Sequence, residues 1–392
     1  MKKKYILICL LLVLVIFATL YKIFYKNNDN SKKITTLYVA VSDDIGSYIN
    51  DKNISSVLLK KYNLRVVYDK WDNNKIISKP LIRENVSDSY KKDLSYIEDD
   101  ENNDINSDKS TKYDALLISE ERYFNYYQNN PNKKNGEADR YKILDSLNIA
   151  NSPLVIYSWK DIVNYLINDN IVTNKDGVYY LVDSNKLFNY ILNSKKWSDI
   201  GLTSLPRNIN ISSTDPTLSS TGASYYELLL SILCNKNINE HNIDNNLKKL
   251  SLFYQKSGYM NNTSTGLFDR YLKTGIGGEA MIVDYEKSII DFANINPTGF
   301  DEIKDQIVIL YPTPTIINSN YLGSFNQNGQ KLIEAFKDEE IRNILWEKYG
   351  YRNNDNLAIS NNLNIGVANQ IDDVVNNLDM IYYNRLIEYL SK

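Results

Sequence analysis

The chain has 392 residues, 43% of them hydrophobic, enough for a substantial core and for two lobes of ~150–180 residues at ordinary domain sizes. A net charge of −3 argues against a nucleic-acid partner, because such proteins concentrate basic residues on one face. Two cysteines, Cys9 and Cys234, cannot build a disulfide framework, and one histidine, His241, leaves triad, zinc and imidazole chemistry resting on a single side chain. His241 lies in a polar stretch and reads as a solvated loop residue.

The chain opens with Lys2, Lys3 and Lys4, then an uncharged run from Tyr5 to Tyr21 that Ile23 to Tyr25 prolong past Lys22. At ~1.5 Å per residue this run approaches the ~30 Å hydrocarbon core of a bilayer. Basic residues on the N-terminal side predict a cytoplasmic N-terminus, with residues 27–392 on the far side of the membrane. A cleaved signal would need small residues before the cut, and only Ala18 qualifies. Cys9 lies inside the run, so a lipoprotein box is absent as well.

Beyond a polar tether (27–33), Ile34–Val41 reads as a strand, Ile45–Tyr62 as a helix and Leu64–Tyr68 as a second strand. That order is a βαβ unit and predicts a parallel sheet. Glu84–Asp108 carries nine acidic residues against two lysines and no periodicity, which predicts an exposed insertion. Asp100, Asn102 and Asp104 alternate as calcium ligands do, but Ile105 and Thr111 occupy positions where that loop needs Gly and Glu. Tyr113–Ser119 and Ser152–Trp159 are buried-type strands. Helices follow at Trp159–Asn168, Leu187–Leu192 and Tyr225–Leu233, with later strands at Ile209–Ser212, Ala280–Val283 and Ile307–Tyr311. Helices resume over Gly329–Tyr349, and Ile371–Leu390 reads as one amphipathic helix. The fold class is alternating α/β.

The sharpest local signal runs from Ser212 to Gly222, with seven hydroxyls and a glycine between a strand and an apolar helix. Free amides and the dipole at a helix start suit an anion. An ordinary capped helix behind a polar loop fits the same residues. Gly275-Ile276-Gly277-Gly278-Glu279-Ala280 fits a relaxed dinucleotide fingerprint, but a helix precedes it and a strand follows, the reverse of what such a site needs. No cofactor is expected.

Thr214-Asp215-Pro216-Thr217 followed by Ser219-Ser220-Thr221-Gly222 resembles bacterial extracellular solute-binding proteins of the type 2 periplasmic-binding fold, near the molybdate- and phosphate-type binders. Pro153–Ile156 with Trp159-Lys160-Asp161 resembles the crossover into the second lobe. Trp197–Gly201 resembles "W-x-D-L-G", and Gly278–Met281 with Tyr285-Glu286 the strand bearing "V-x-Y-E". Leu310–Thr315 resembles the return crossover, and Trp346 with Gly350-Tyr351-Arg352 the closing "G-F-R". The resemblance implies a two-lobed fold, from which the expected N-terminal transmembrane helix (1–26) and the acidic insertion are departures. Lobe 1 would span 34–155, with the insertion at 84–108, lobe 2 would span 156–310, and 311–392 would return to lobe 1. It also implies ligand contacts at Ser42, Ser219, Ser220, Thr221 and Tyr285. Ser42 alone could equally cap the next helix, and Tyr285 could be hinge packing.

The leading expectation is a membrane-tethered extracellular binding protein holding a small anion or polar solute for a transporter or sensor. The alternative is a binding-protein fold that has lost its ligand and serves as a surface scaffold. No carboxylate pair stands out by spacing, so an enzyme is not expected.

Overall fold

The computed structural model describes residues 34–79, 81–83, 112–129, 142–258, 260–358, 363 and 365–392. The expected anchor (1–26), the tether (27–33) and the acidic insertion (84–108) lie outside them. Among the described residues no helix is long and apolar enough to cross a membrane.

Strand β1 (Thr35–Ser42) puts Leu37, Val39 and Val41 into one apolar cluster and Tyr38 and Ala40 against another. Burial on both faces is what a parallel sheet covered by helices requires. After a short 3-10 turn (Ser47–Asn50), the Asp51 carboxylate accepts the amides of Asn53 and Ile54 at 2.7 and 3.1 Å and starts α1 (Lys52–Tyr62). The helix expected from Ile45 is therefore split, because Asp51 caps a fresh start. Strand β2 (Leu64–Trp71) pairs in parallel with β1 and completes the βαβ unit. Helix α2 (Asn73–Ser78), strand β3 (Ala115–Ser119) and helix α3 (Glu121–Asn129) follow, with β3 parallel to β1 on its other side.

Strand β4 (Asp145–Trp159) links the two lobes. Its first half pairs with β9 (Thr315–Ser324) in the first sheet. Its second half pairs with β7 (Met281–Tyr285) and β8 (Ile307–Pro312) in the second. The second sheet continues through β6 (Val178–Leu181) to β5 (Val172–Lys175), giving the order β2-β1-β3-β9-β4-β8-β6-β5. Around it pack α4 (Lys160–Asn168), α5 (Ser184–Leu192), α6 (Ser220–Leu233), α7 (Ile243–Ser257), α8 (Ser264–Gly278), α9 (Lys287–Ile295) and α10 (Pro297–Ile303). Helices α11 (Gln327–Phe336) and α12 (Glu339–Tyr349) return to the first lobe, where Leu332, Phe336 and Leu345 join the cluster of β1.

Three expectations need correction. Strand β9 was not anticipated, because Asn318, Ser319 and Asn320 interrupt its apolar pattern. Asn320 is satisfied inside the fold by donating to the Tyr48 hydroxyl at 3.1 Å. Ile209–Ser212 is no strand, only a bridge at Ser212 to the Met281–Val283 backbone. The tail is not one helix: Val374–Val375 form β10 against β9, and α13 (Met380–Leu390) begins where Asp379 caps Ile381 and Tyr382. Paired β-branched residues favour the extended state there.

The crossovers meet at one buried node. Glu286, after β7, receives two hydrogen bonds from the Arg352 guanidinium at 2.7 and 2.6 Å, and the Tyr311 hydroxyl from β8 donates to the same carboxylate. Neither charged side chain has any solvent exposure. Arg352 also donates to the Ala368 and Asn356 carbonyls at 2.6 and 2.9 Å, and its backbone pairs with Asn151 on β4. Three of the resembling segments thus converge here.

Candidate functional site

Strands β1, β2 and β3 run in parallel, so their carboxyl ends gather at one edge, where open α/β sheets present their crevices. Asp43 and Asp44 follow β1, Asp72 and Asn73 follow β2, and Glu120 follows β3. Together with Tyr123 they form one wall of a cleft of about 400 Å³. The opposite wall comes from the second lobe: Thr217 to Thr221 at the start of α6, and Asn262 to Ser264 at the start of α8. Tyr383 of α13 closes one side.

The strand-end wall is held by a compact hydrogen-bond network. The Ser42 hydroxyl donates to Asn73 Oδ1 and accepts the Ser119 amide at 3.1 Å. Asn73 Nδ2 donates to Ser119 Oγ at 3.1 Å and to Asp44 at 3.3 Å, and Ser119 Oγ donates to Asp44 at 2.5 Å. Asp44 is thereby aimed. Desolvation between the lobes raises the Asp44 carboxyl, partly offset by the Ser119 hydrogen bond. Desolvation and the neighbouring Asp72 charge raise Asp43. Glu120 sits in the left-handed region at φ 63°, an uncommon conformation for a residue with a Cβ. Its amide bonds the Ser319 carbonyl of β9 at 2.9 Å, which holds it there.

The facing wall is built differently. Ser219 is the N-cap of α6, yet its hydroxyl accepts from Thr214 Oγ1 at 3.0 Å and makes no bond to the helix. The first-turn amides of α6 therefore keep their donor capacity toward the cleft. Gly222 lets the Thr214–Pro216 loop cross that helix start, since a Cβ would stand 2.3 Å from the Thr214 carbonyl oxygen. The cleft is asymmetric in charge. Asp43, Asp44, Asp72 and Glu120 line it, and no Lys, Arg or His does among the described residues.

Of the residues singled out from the sequence, Ser219, Ser220 and Thr221 line the cleft. Ser42 lies fully buried beneath the wall, and it caps no helix. Tyr285 is buried and does not line the cleft. Its hydroxyl donates to Ser224 at 3.0 Å, and burial pushes its pKa up to about 12. His241 is exposed, and Cys234 is a buried free thiol. Sequence reasoning missed Asp43, Asp44, Asp72, Glu120 and Asn262–Ser264. Their available signal was position, each standing just after a strand or just before a helix.

One solved structure assigned as an extracellular solute-binding protein, from Bordetella parapertussis, superposes with a TM-score of 0.56 at 11% identity, over 91% of this chain and 96% of that one. The chain has the fold of the extracellular solute-binding proteins. A Trichodesmium protein solved with iron and citrate shares this solute-binding fold at a TM-score of 0.55 and 11% identity, over 91% and 98% of the two chains. A periplasmic thiamin-binding protein does so at 0.51 and 10%, over 93% and 98%. No protein-family model and no curated protein sequence matches this chain. In the solute-binding fold seen here, the cleft lies between lobes joined by β4 and by the return through β8 and β9.

Proposed function

We propose that the chain is a binding protein, not an enzyme, that holds a small polar solute bearing a cationic group between its lobes and presents it to a membrane transporter. The observation that carries this reading is the charge of the cleft. Three aspartates on one wall, beside a Glu120 whose charge Arg122 meets from the buried side, face hydroxyls and an open helix N-terminus on the other. Carboxylates suit an ammonium group, and the helix start suits a carboxylate or phosphate on the same solute. Of the alternatives read from the sequence, the polar solute gains and the free anion loses, because an anion would meet the like charges of Asp43, Asp44 and Asp72. The scaffold reading expects a filled cleft, whereas about 400 Å³ is open. One neighbour of the fold was solved with iron and citrate and another binds thiamin, which accords with a solute that carries a cationic group. The apolar run from Tyr5 to Tyr25 would tether the protein at the cell surface, with the cleft outside.

The test is thermal unfolding of the full chain in detergent with amines (spermidine, choline, arginine), oxyanions (phosphate, molybdate) and neutral sugars. A ligand bound only by the native state raises apparent stability. Stabilisation by amines or zwitterions supports the reading. Stabilisation by oxyanions alone overturns the charge assignment and leaves a binding protein, and no response from any class favours the scaffold.

A further inference from the structure

We infer that Arg122 is an interlobe latch, through which the C-terminal helix α13 holds the two lobes closed over the cleft. The inference rests on the cleft being the solute site. Arg122 belongs to α3 of the first lobe, and its side chain is completely buried. It forms ion pairs with Glu120 of its own lobe and with Glu227 of α6, in the second lobe. The Tyr383 ring of α13 covers the guanidinium at 3.9 Å. A desolvated guanidinium on an aromatic face is held by the ring quadrupole as well as by its counter-ions.

The rest of α13 bridges the same boundary. Met380 packs with the first-lobe cluster that contains Ile118 and Tyr123, while Leu386 and Leu390 belong to the second-lobe core. Arg385 donates to Glu240 and Asp244 of the second lobe, each at 2.7 Å. Upstream, Asn377 donates to Glu227 at 3.3 Å, so the segment grips the second-lobe half of the pair as well. Glu120, Thr221 and Tyr383 line the cleft, and the buried Arg122 contacts Glu120 and Tyr383. Separating the lobes must therefore part Arg122 from Glu227 and strip Tyr383 from one side.

Such a pair is suited to a latch because its two states are close in free energy. Burial costs both ions their hydration, and their attraction in the closed form roughly offsets that cost. Opening rehydrates them, so the contact sets the closed geometry without locking it. Charge also couples it to the cleft. Closure brings Glu227 toward Glu120 and the three cleft aspartates, with only Arg122 as buried cation among them. A cationic solute relieves that excess of negative charge and favours the closed form.

The test uses the full chain in detergent with Cys9→Ser, and spin labels at Lys60→Cys on α1 and Lys248→Cys on α7, both exposed positions on opposite lobes. Interlobe distances are measured by double electron–electron resonance without solute, then with spermidine. Glu227→Gln keeps shape and removes the charge, and should raise the open-to-closed ratio by about tenfold. Tyr383→Leu should shift it in the same direction and serves if the first variant does not fold. A distance distribution unchanged in both folded variants, even with a lowered melting temperature, overturns the latch and makes Arg122 purely structural. A latch that responds to mutation while spermidine and the rest of the solute panel leave the distances unmoved would instead count against the solute reading, and leave the latch standing.

Discussion

Replacing Glu286 with Gln tests whether the buried node at the crossovers holds the lobes together. Glu286 and Arg352 have no exposed side-chain surface, and two hydrogen bonds of 2.7 and 2.6 Å join them. Burial alone would lower the Arg352 pKa, yet the Glu286 charge and the Tyr311 contact raise it, so the guanidinium is committed to its ionised form. Glutamine keeps one acceptor and turns an amide toward the cation, leaving a buried charge without its counter-ion. Such a loss costs ~3–5 kcal/mol. With an unfolding entropy near 2.1 cal/mol/K per residue, taken over the roughly 300 described residues, each kcal/mol shifts the melting temperature by about 1.5 °C, or ~5–8 °C in all. Arg352→Met in the same background should recover part of this, because the orphaned cation goes with it. Recovery stays incomplete, since the Ala368 and Asn356 carbonyls lose a donor. Circular dichroism melts of the four proteins in the cycle at pH 7 measure this directly. Single-variant losses below ~1 kcal/mol, or additivity within ~0.5 kcal/mol, would refute the reasoning.

Gly222→Ala places a Cβ 2.3 Å from the Thr214 carbonyl, so the loop must move. Thermal unfolding should show a loss of ~1–3 kcal/mol, and calorimetry a loss of solute affinity. Ser220→Ala should weaken binding of an anionic solute group by about 10- to 150-fold, the value of one hydrogen bond to a charged group. Stability should change little, because Ser219 is the cap; calorimetric titration showing unchanged affinity would move the site away from α6. Asp43→Asn should raise the melting temperature at pH 7 while reducing affinity for amines. The Asp43 carboxyl is raised in the fold, so its ionised form is destabilising above the folded pKa and the penalty vanishes as pH falls below the ordinary carboxylate range. The gap between variant and parent should therefore close on acidification, and a pH-independent gap would be evidence against a charge effect.

Much of the fold was legible because it rests on local signals. The βαβ unit at β1–β2 shows in alternating and helical spacing. The start of α6 shows in its run of hydroxyls, and the crossovers in short motifs that the structure brings together at Glu286, Tyr311 and Arg352. Strand β9 was not legible. At its polar centre Asn320 is satisfied by Tyr48, far away in sequence, and no window of ten residues contains that information. The acidic wall was not legible: nothing marked Asp43, Asp44, Asp72 and Glu120 as companions until three strand ends were gathered at one edge. Arg122 and Glu227 lie 105 positions apart and carry no motif at all.

The placement of β9 also has a consequence in time. It sits between β3 and β4 in the finished sheet, although some two hundred residues separate it from β3 along the chain. At ordinary synthesis rates that interval lasts roughly 10–40 s. Throughout it, the edge of Ala115–Ser119, five consecutive buried residues, has no partner in its own polypeptide. An open apolar edge is a template for pairing with other chains. The first lobe, though begun first, is therefore finished nearly last, and a nascent chain released before residue 324 would carry that edge uncovered.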